Sequence, residues 1–341
     1  MLSRHVGAAI AATATTVLLA TGAVADAATR TVHAGAPAAQ AAALPEGAIG
    51  NGFYPRRTTL NAGDKVAFEI AGLHNVLFAP KGSAPGPFHA PVPARPVAAG
   101  AWFDGQPGWF LDPTHLVPAG DKVIDGKELD GSGIFTGQGA PPDYVVSFPK
   151  TGSYSYLCTV HPGMKGKVRV VRKGAQSKAR HAKAIARQVA ATVKSAKRLA
   201  AQAPSGSVVR AGNDRREVAF LSFFPGTRRV RAGEPVRFEM PEGTTEIHNV
   251  VFGPDDVLER TAAAFISIGP QGIAYDPVSV YPSAPGALTH AGGFLSTGLL
   301  DADPRTSLPR SRSVSFTTPG RFGFICTVHG PSMRGAIEVA P

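Results

Sequence analysis

Apolar and polar positions alternate with period two along most of this chain, and the alternation predicts an all-β protein. Val66, Phe68 and Ile70 alternate with Ala67 and Glu69, and Tyr144, Val146 and Phe148 alternate with Val145 and Ser147. Tyr154, Tyr156 and Cys158 share one face, as do Phe322, Phe324 and Cys326. One apolar face at every second residue is the pattern of a half-buried antiparallel strand. Residues 167–171 and 336–339 alternate in the same way. Each cysteine thus ends a strand on its inward, aromatic face, a short loop follows, and the chain turns back.

The strands repeat as a set. Phe53-Tyr54-Pro55 matches Phe223-Phe224-Pro225, and residues 62–70 match 232–240. His74-Asn75-Val76-Leu77-Phe78 matches His248-Asn249-Val250-Val251-Phe252, and residues 152–161 match 320–329 through a shared Cys-Thr-Val-His. Asp112-Pro113 pairs with Asp276-Pro277, and Thr136-Gly137 with Thr297-Gly298. A fixed internal repeat means two copies of one structural unit. The predicted domains are residues 46–171 and 207–341.

Between them, over residues 172–206, the period changes. Ala182, Ile185, Ala186, Val189, Val193, Ala196 and Ala200 recur at three and four within 173–203, which predicts an amphipathic helix with a weak apolar face. Two readings of this linker stand. It is a solvated, semi-rigid spacer, or it docks on an anionic surface or an acidic partner. At the other end of the chain, Arg4 and His5 precede a small apolar run to Ala20 and an Ala-x-Ala site at 23–25 or 25–27. Residues 1–27 therefore read as a signal peptide, and the protein as exported to the periplasm, envelope or exterior.

Composition changes this picture little. The 39 glycines and 30 prolines among 341 residues suit short strands and many turns. The net charge of +11 is local: residues 172–210 hold ten Lys or Arg and no acidic residue, leaving about +1 for the rest. The domains are not expected to bind nucleic acid.

The chemistry lies in a set of four that occurs twice. His74, Cys158, His161 and Met164 form the first, and His248, Cys326, His329 and Met333 the second. One thiolate, two imidazoles and a thioether are the ligands of a mononuclear type 1 (blue) copper site, and the thioether argues against zinc. Two matched motifs also argue against a disulfide between Cys158 and Cys326. The second loop has one more residue before its Met than the first, so the axial ligands are expected to differ.

Cys158-Thr159-Val160-His161-Pro162-Gly163-Met164, followed by Lys165-Gly166, resembles the copper loop of plastocyanin/azurin-family cupredoxins, closest in length to amicyanin-like ones. Residues 148–154 resemble the usual lead-in to that loop. The resemblance implies two tandem cupredoxin domains, each a Greek-key β-sandwich. It also implies that Asn75 supports the loop by bonding Thr159, and that Asn249 does so with Thr327. The expected function is single-electron transfer with a redox partner protein, one copper per domain. A copper store or carrier in the envelope is the alternative. An enzyme of the multicopper oxidase or nitrite reductase kind needs a second copper centre. The chain has no His-x-His, and Leu157, Thr159, Ile325 and Thr327 flank the cysteines, so no catalytic residue is expected. His161 and His329 are expected near the surface beside an apolar docking patch. His89, His115 and His290 read as ordinary loop histidines, and Trp102 and Trp109 as covers over apolar surface.

Overall fold

The computed structural model describes residues 27–98, 100–135, 142–270 and 272–341. Residues 1–26 of the expected signal peptide at 1–27, and the Thr136-Gly137 half of one repeat match, lie outside the described residues. Each half of the chain folds as two β-sheets. In the first domain one sheet runs Phe53–Tyr54, Thr29–Ala34, Lys65–Ile70, Tyr144–Ser147. The other runs Arg57–Asn61, Lys165–Val171, Gly152–Leu157, Leu77–Phe78, Asp130–Gly131. The second domain repeats this order with Phe223–Phe224, Val208–Ala211, Pro235–Glu239, Ser311–Phe316 and Leu288–His290. Its other sheet runs Thr227–Arg231, Gly330–Ala340, Gly320–Cys326, Val251–Phe252, Leu295–Ser296. The same pairs are parallel in both domains, such as Thr29–Ala34 with Lys65–Ile70 and Val208–Ala211 with Pro235–Glu239. The architecture is all-β and made of β-sandwiches.

Each sandwich closes on the apolar face that the alternation marks. Phe53, Phe68, Phe78 and Tyr156 meet edge to face or tilted in the first core, and Phe223, Phe238, Phe252 and Phe324 do so in the second. Edge-to-face rings fill a core while placing positive ring edges on negative faces.

The first domain begins earlier than expected. The strand Thr29–Ala34 lies inside its sheet, upstream of the boundary placed at residue 46. Only Val32 and Ala34 of that strand are apolar and fully buried, too short a signal to stand out beside the Ala-rich sequence around it. The segment after it crosses over, and Ala48–Gly50 pairs with Val218–Phe220 of the second domain.

The insertions between the upstream His and the Cys build the interface between domains. His89–Pro96 and Pro107–Leu111 form a hairpin, and Ile266–Gly269 and Gly272–Tyr275 form another. The two join in one sheet through Ala274 and Phe110. Phe88, Trp109 and Leu111 then share a core with Ile247, Phe265, Tyr275, Val280 and Leu299. Trp109 is buried there, and Trp102 donates its Nε1–H to the Pro282 carbonyl at 2.8 Å. His89, His115 and His290 are buried, not loop-surface groups. His89 faces Asp301 across the interface at 3.7 Å, and His115 stacks on Phe88.

The linker is a helix over Lys178–Ala200, capped by the Ser177 side chain, and it is not a solvated spacer. Its buried face is His181, Val189, Thr192, Ala196 and Leu199, whereas Ala182 and Ala186 of the expected stripe are exposed. The stripe is rotated because polar residues serve as anchors. His181 Nε2 meets the Thr31 carbonyl at 2.7 Å, Gln188 donates to the Phe53 carbonyl at 2.8 Å, and Ala196 and Leu199 pack on Val218 and Phe220. The helix therefore ties both domains together. No helix among the described residues is long and apolar enough to cross a membrane.

Candidate metal centres

Cys158 directly follows the strand Gly152–Leu157 and Cys326 ends the strand Gly320–Cys326, and the loop beyond each brings the downstream His back beside it. In the first domain, Cys158 Sγ is 3.5 Å from His161 Nδ1 and 3.9 Å from His74 Nδ1. In the second, Cys326 Sγ is 3.5 Å from His329 Nδ1 and 3.7 Å from His248 Nδ1. Both triads could hold a metal ion, their donor atoms all lying within 4.8 Å of one another. Both cysteines are buried and free, so no bridge joins them.

Met164 is buried on the same loop as Cys158. Its carbonyl accepts from the Cys158 N–H at 2.9 Å, and its N–H donates to the His161 carbonyl at 3.0 Å. Met333 is fully buried and shares a core with Cys326. The strand register shifts at the second loop: Ile325 pairs with Arg334, but Cys326 pairs with Gly330.

The loops are held from behind by asparagine. Asn75 Nδ2 donates to Thr159 Oγ1 at 2.8 Å and to the His115 carbonyl at 3.1 Å, and its Oδ1 accepts from the Thr159 N–H at 2.8 Å. Asn249 does the same with Thr327 Oγ1 at 2.6 Å, the Ser279 carbonyl at 3.0 Å and the Thr327 N–H at 2.8 Å. His115 and Ser279 occupy equivalent places because Asp112 and Asp276 each cap a short helical turn beginning with Pro. A buried polar network of this kind, with its members satisfied, fixes geometry.

Electrostatics readies the thiolate for a metal and leaves a proton on the downstream imidazole that the metal must displace. Burial raises the Cys158 thiol, but the His161 imidazolium and the hydrogen bonds of both imidazoles outweigh it and pull it down to about 5. Cys326 is likewise drawn down to about 5, against its burial, by His248 and His329. Burial disfavours a charged His161, yet Glu246 and Cys158 raise it to about 10. His329 is raised to about 10 against its burial by Cys326 and Glu246. Burial pushes His74 below the usual imidazole range. A thiolate, two imidazole Nδ1 atoms and a buried thioether nearby are a donor set that fits copper.

Glu246 has no place in the sequence reading. It comes from the second domain, two residues before His248, where the first domain has Gly72. One carboxylate oxygen is 3.2 Å from His161 Nε2 and the other is 3.5 Å from His329 Nε2. Burial would raise this carboxyl, but the two imidazolium groups hold it well below the usual carboxylate range. Asn51 of the first domain donates to the same carboxylate and to Thr245 Oγ1. His161 is therefore not a surface group: it is 4% exposed and faces the other domain. His329 is little more open, its side chain 14% exposed. Beside them lies a cavity of about 370 Å³ lined by His74, His161, Glu246 and His329 and by apolar side chains such as Leu44, Ile49 and Leu221.

Comparison with known proteins agrees with this geometry. Residues 46–171 match the family model described as copper binding proteins, plastocyanin/azurin family. Amicyanin from Paracoccus versutus is 34% identical over 93 residues, which are 23% of this chain and 67% of the relative. Among solved structures, plastocyanin from Dryopteris crassirhizoma is 25% identical, covering 39% of this chain and 99% of its own, with a TM-score of 0.21. Auracyanin A from Chloroflexus aurantiacus is 20% identical over 39% of this chain and 96% of its own, with a TM-score of 0.26. On the match to that family model and to that relative, the chain belongs to the plastocyanin/azurin family of copper-binding, electron-transfer proteins.

Proposed function

We propose that each domain holds one copper ion as a type 1 centre and that the protein carries single electrons outside the cytoplasm. His74, Cys158, His161 and Met164 hold the first ion, and His248, Cys326, His329 and Met333 the second. The observation that carries this reading is the duplication itself. The same buried thiolate and paired Nδ1 atoms occur twice, behind the same Asn–Thr clamp. Bound copper supplies a one-electron couple. The chain's part is to keep the thiolate ionised, hold the downstream imidazole of each set through Glu246 and exclude water from the donors.

The protein is not an enzyme on this reading but exchanges electrons with a redox partner. An acidic partner or anionic surface suits a cleft of about 630 Å³ beside the linker helix, lined by Arg56, Arg57, Arg187, Arg215 and Arg216. The test is an optical and paramagnetic resonance spectrum of the copper-loaded protein with metal analysis. Two coppers per chain are expected, with Cys158→Ser and Cys326→Ser each removing one. One copper in the wild type, or metal loss on each reduction and reoxidation, would overturn the carrier reading and leave copper storage in its place.

A further inference from the structure

Glu246 touches one imidazole of each domain. Both contacts are made through Nε2, while Nδ1 of each ring faces its own cysteine. The carboxylate pairs one oxygen with each Nε2, so the two ligand sets are joined by a single side chain and two close ion pairs. Asn51 donates a third bond from the first domain and pins the carboxylate in place. The side chain is only 9% exposed, so little water competes for it.

Resting on the assignment of copper to both domains, we propose that Glu246 couples the two centres into one unit and that electrons pass between the domains across its carboxylate. Two further observations support this role. His161 and His329 are turned toward each other and away from outside partners, which leaves exchange between domains as what their Nε2 edges serve. The domains are also held rigidly in this relation by the shared sheet, by the Ala48–Gly50 pairing and by the linker helix. A bridge of two close ion pairs needs such fixed spacing. The step is balanced within the protein. Bound Cu(I) in one domain would become Cu(II) as bound Cu(II) in the other became Cu(I), with no covalent bond formed or broken and Glu246 a carboxylate throughout. Glu246 is a positioning residue: it fixes both imidazoles by their outer nitrogens and so connects them.

The test uses the full-length copper-loaded protein with Met333→Gln added, to make the second centre's spectrum distinct from the first. One centre is reduced by a light pulse in the presence of a photoreductant, and the two absorption bands are followed as the electron equilibrates. The expected result is a rate independent of protein concentration that falls at least about tenfold in Glu246→Ala, as is typical when an outer partner of a metal-bound histidine is lost. Glu246→Gln, which keeps the shape but can accept only one of the two N–H bonds, should be slowed less than Glu246→Ala. In the metal-free protein, the Nε2–H proton resonances of His161 and His329 should be protected from solvent exchange and lose that protection together in Glu246→Ala. An unchanged equilibration rate with both blue bands intact would overturn the bridge and leave the copper assignment standing. Absence of blue copper in the wild type would overturn both.

Discussion

Loading the first centre with Cu(I) at pH 7 should release close to one proton, and that proton should come from His161. With the thiol at about 5 and His161 at about 10, the metal-free domain holds Cys158 as thiolate and His161 as imidazolium. His74, lowered by burial, is neutral. The donor set therefore carries one proton to displace, on Nδ1 of His161, while Nε2–H stays with Glu246. Metal and protons compete for the same atoms, so affinity must rise with pH. Between the thiol value near 5 and the imidazole value near 10, the logarithm of affinity should climb with a slope of about one. From about pH 7 to about pH 9 that is roughly a hundredfold, or about 2.7 kcal/mol. Below the thiol value the slope should steepen toward two, and above the imidazole value it should vanish.

The assay is competition with a chromophoric Cu(I) chelator across this range in Cys326→Ser, which leaves only the first centre. Calorimetry in buffers of different ionisation enthalpy counts the proton directly. A slope of two through neutral pH would mean that the thiol is protonated in the empty site. A slope of zero would mean that His161 is already neutral. Either result would refute the reasoning that the Cys158–His161–Glu246 arrangement is an ionised chain.

Gly35 has φ of +92°, and a Cβ there would sit 2.7 Å from the Ala71 carbonyl and 3.1 Å from the His74 ring. Gly35→Ala should therefore disturb the first blue band and spare the second, as absorption spectra will report. Leu199→Ala removes a buried anchor of the linker helix, and should cost roughly 2–5 kcal/mol in denaturant unfolding if the helix is a structural clamp. Asn75→Ala leaves the buried Thr159 N–H without its acceptor and should cost about 1–3 kcal/mol, measured by thermal or denaturant unfolding of the metal-free protein.

What the sequence made legible was local. Strands such as Lys65–Ile70 and Gly320–Cys326 announce themselves because a half-buried strand needs an apolar side chain at every second residue. The ligand sets are readable because three of four ligands fall within one loop, and the Asn–Thr clamps follow from the repeated His-Asn and Cys-Thr pairs. Contacts between distant segments leave no such period. Nothing in Thr29–Ala34 tells that it pairs with Lys65–Ile70, and nothing near residue 110 tells that it meets residue 274. The linker misled for a related reason. Its alanines suggested the buried stripe, but His181 and Thr192 are buried because they bond to the domains. One signal was available and unused. Aligning His74 with His248 sets Gly72 against Glu246, the only one of the two positions able to carry charge next to the ligands.

That difference between otherwise matched halves has a physical reason. Two identical cupredoxin units meeting face to face would form an isologous pair, in which any residue near the axis appears twice. Two carboxylates at this point would face the same pair of imidazoles at close range, and one of them could not stay ionised. With both halves in one chain, the positions are free to diverge: the second domain supplies the carboxylate, and the first supplies Asn51 and Gly72. Gly72 has φ of +77°, and a side chain there would meet only the His74 ring within 4 Å, at 4.0 Å. The left-handed backbone, and not a lack of space, thus favours glycine over an acid there. With an acid on one side and a glycine on the other, the face-to-face arrangement has one shared carboxylate that reaches both imidazoles without a rival charge.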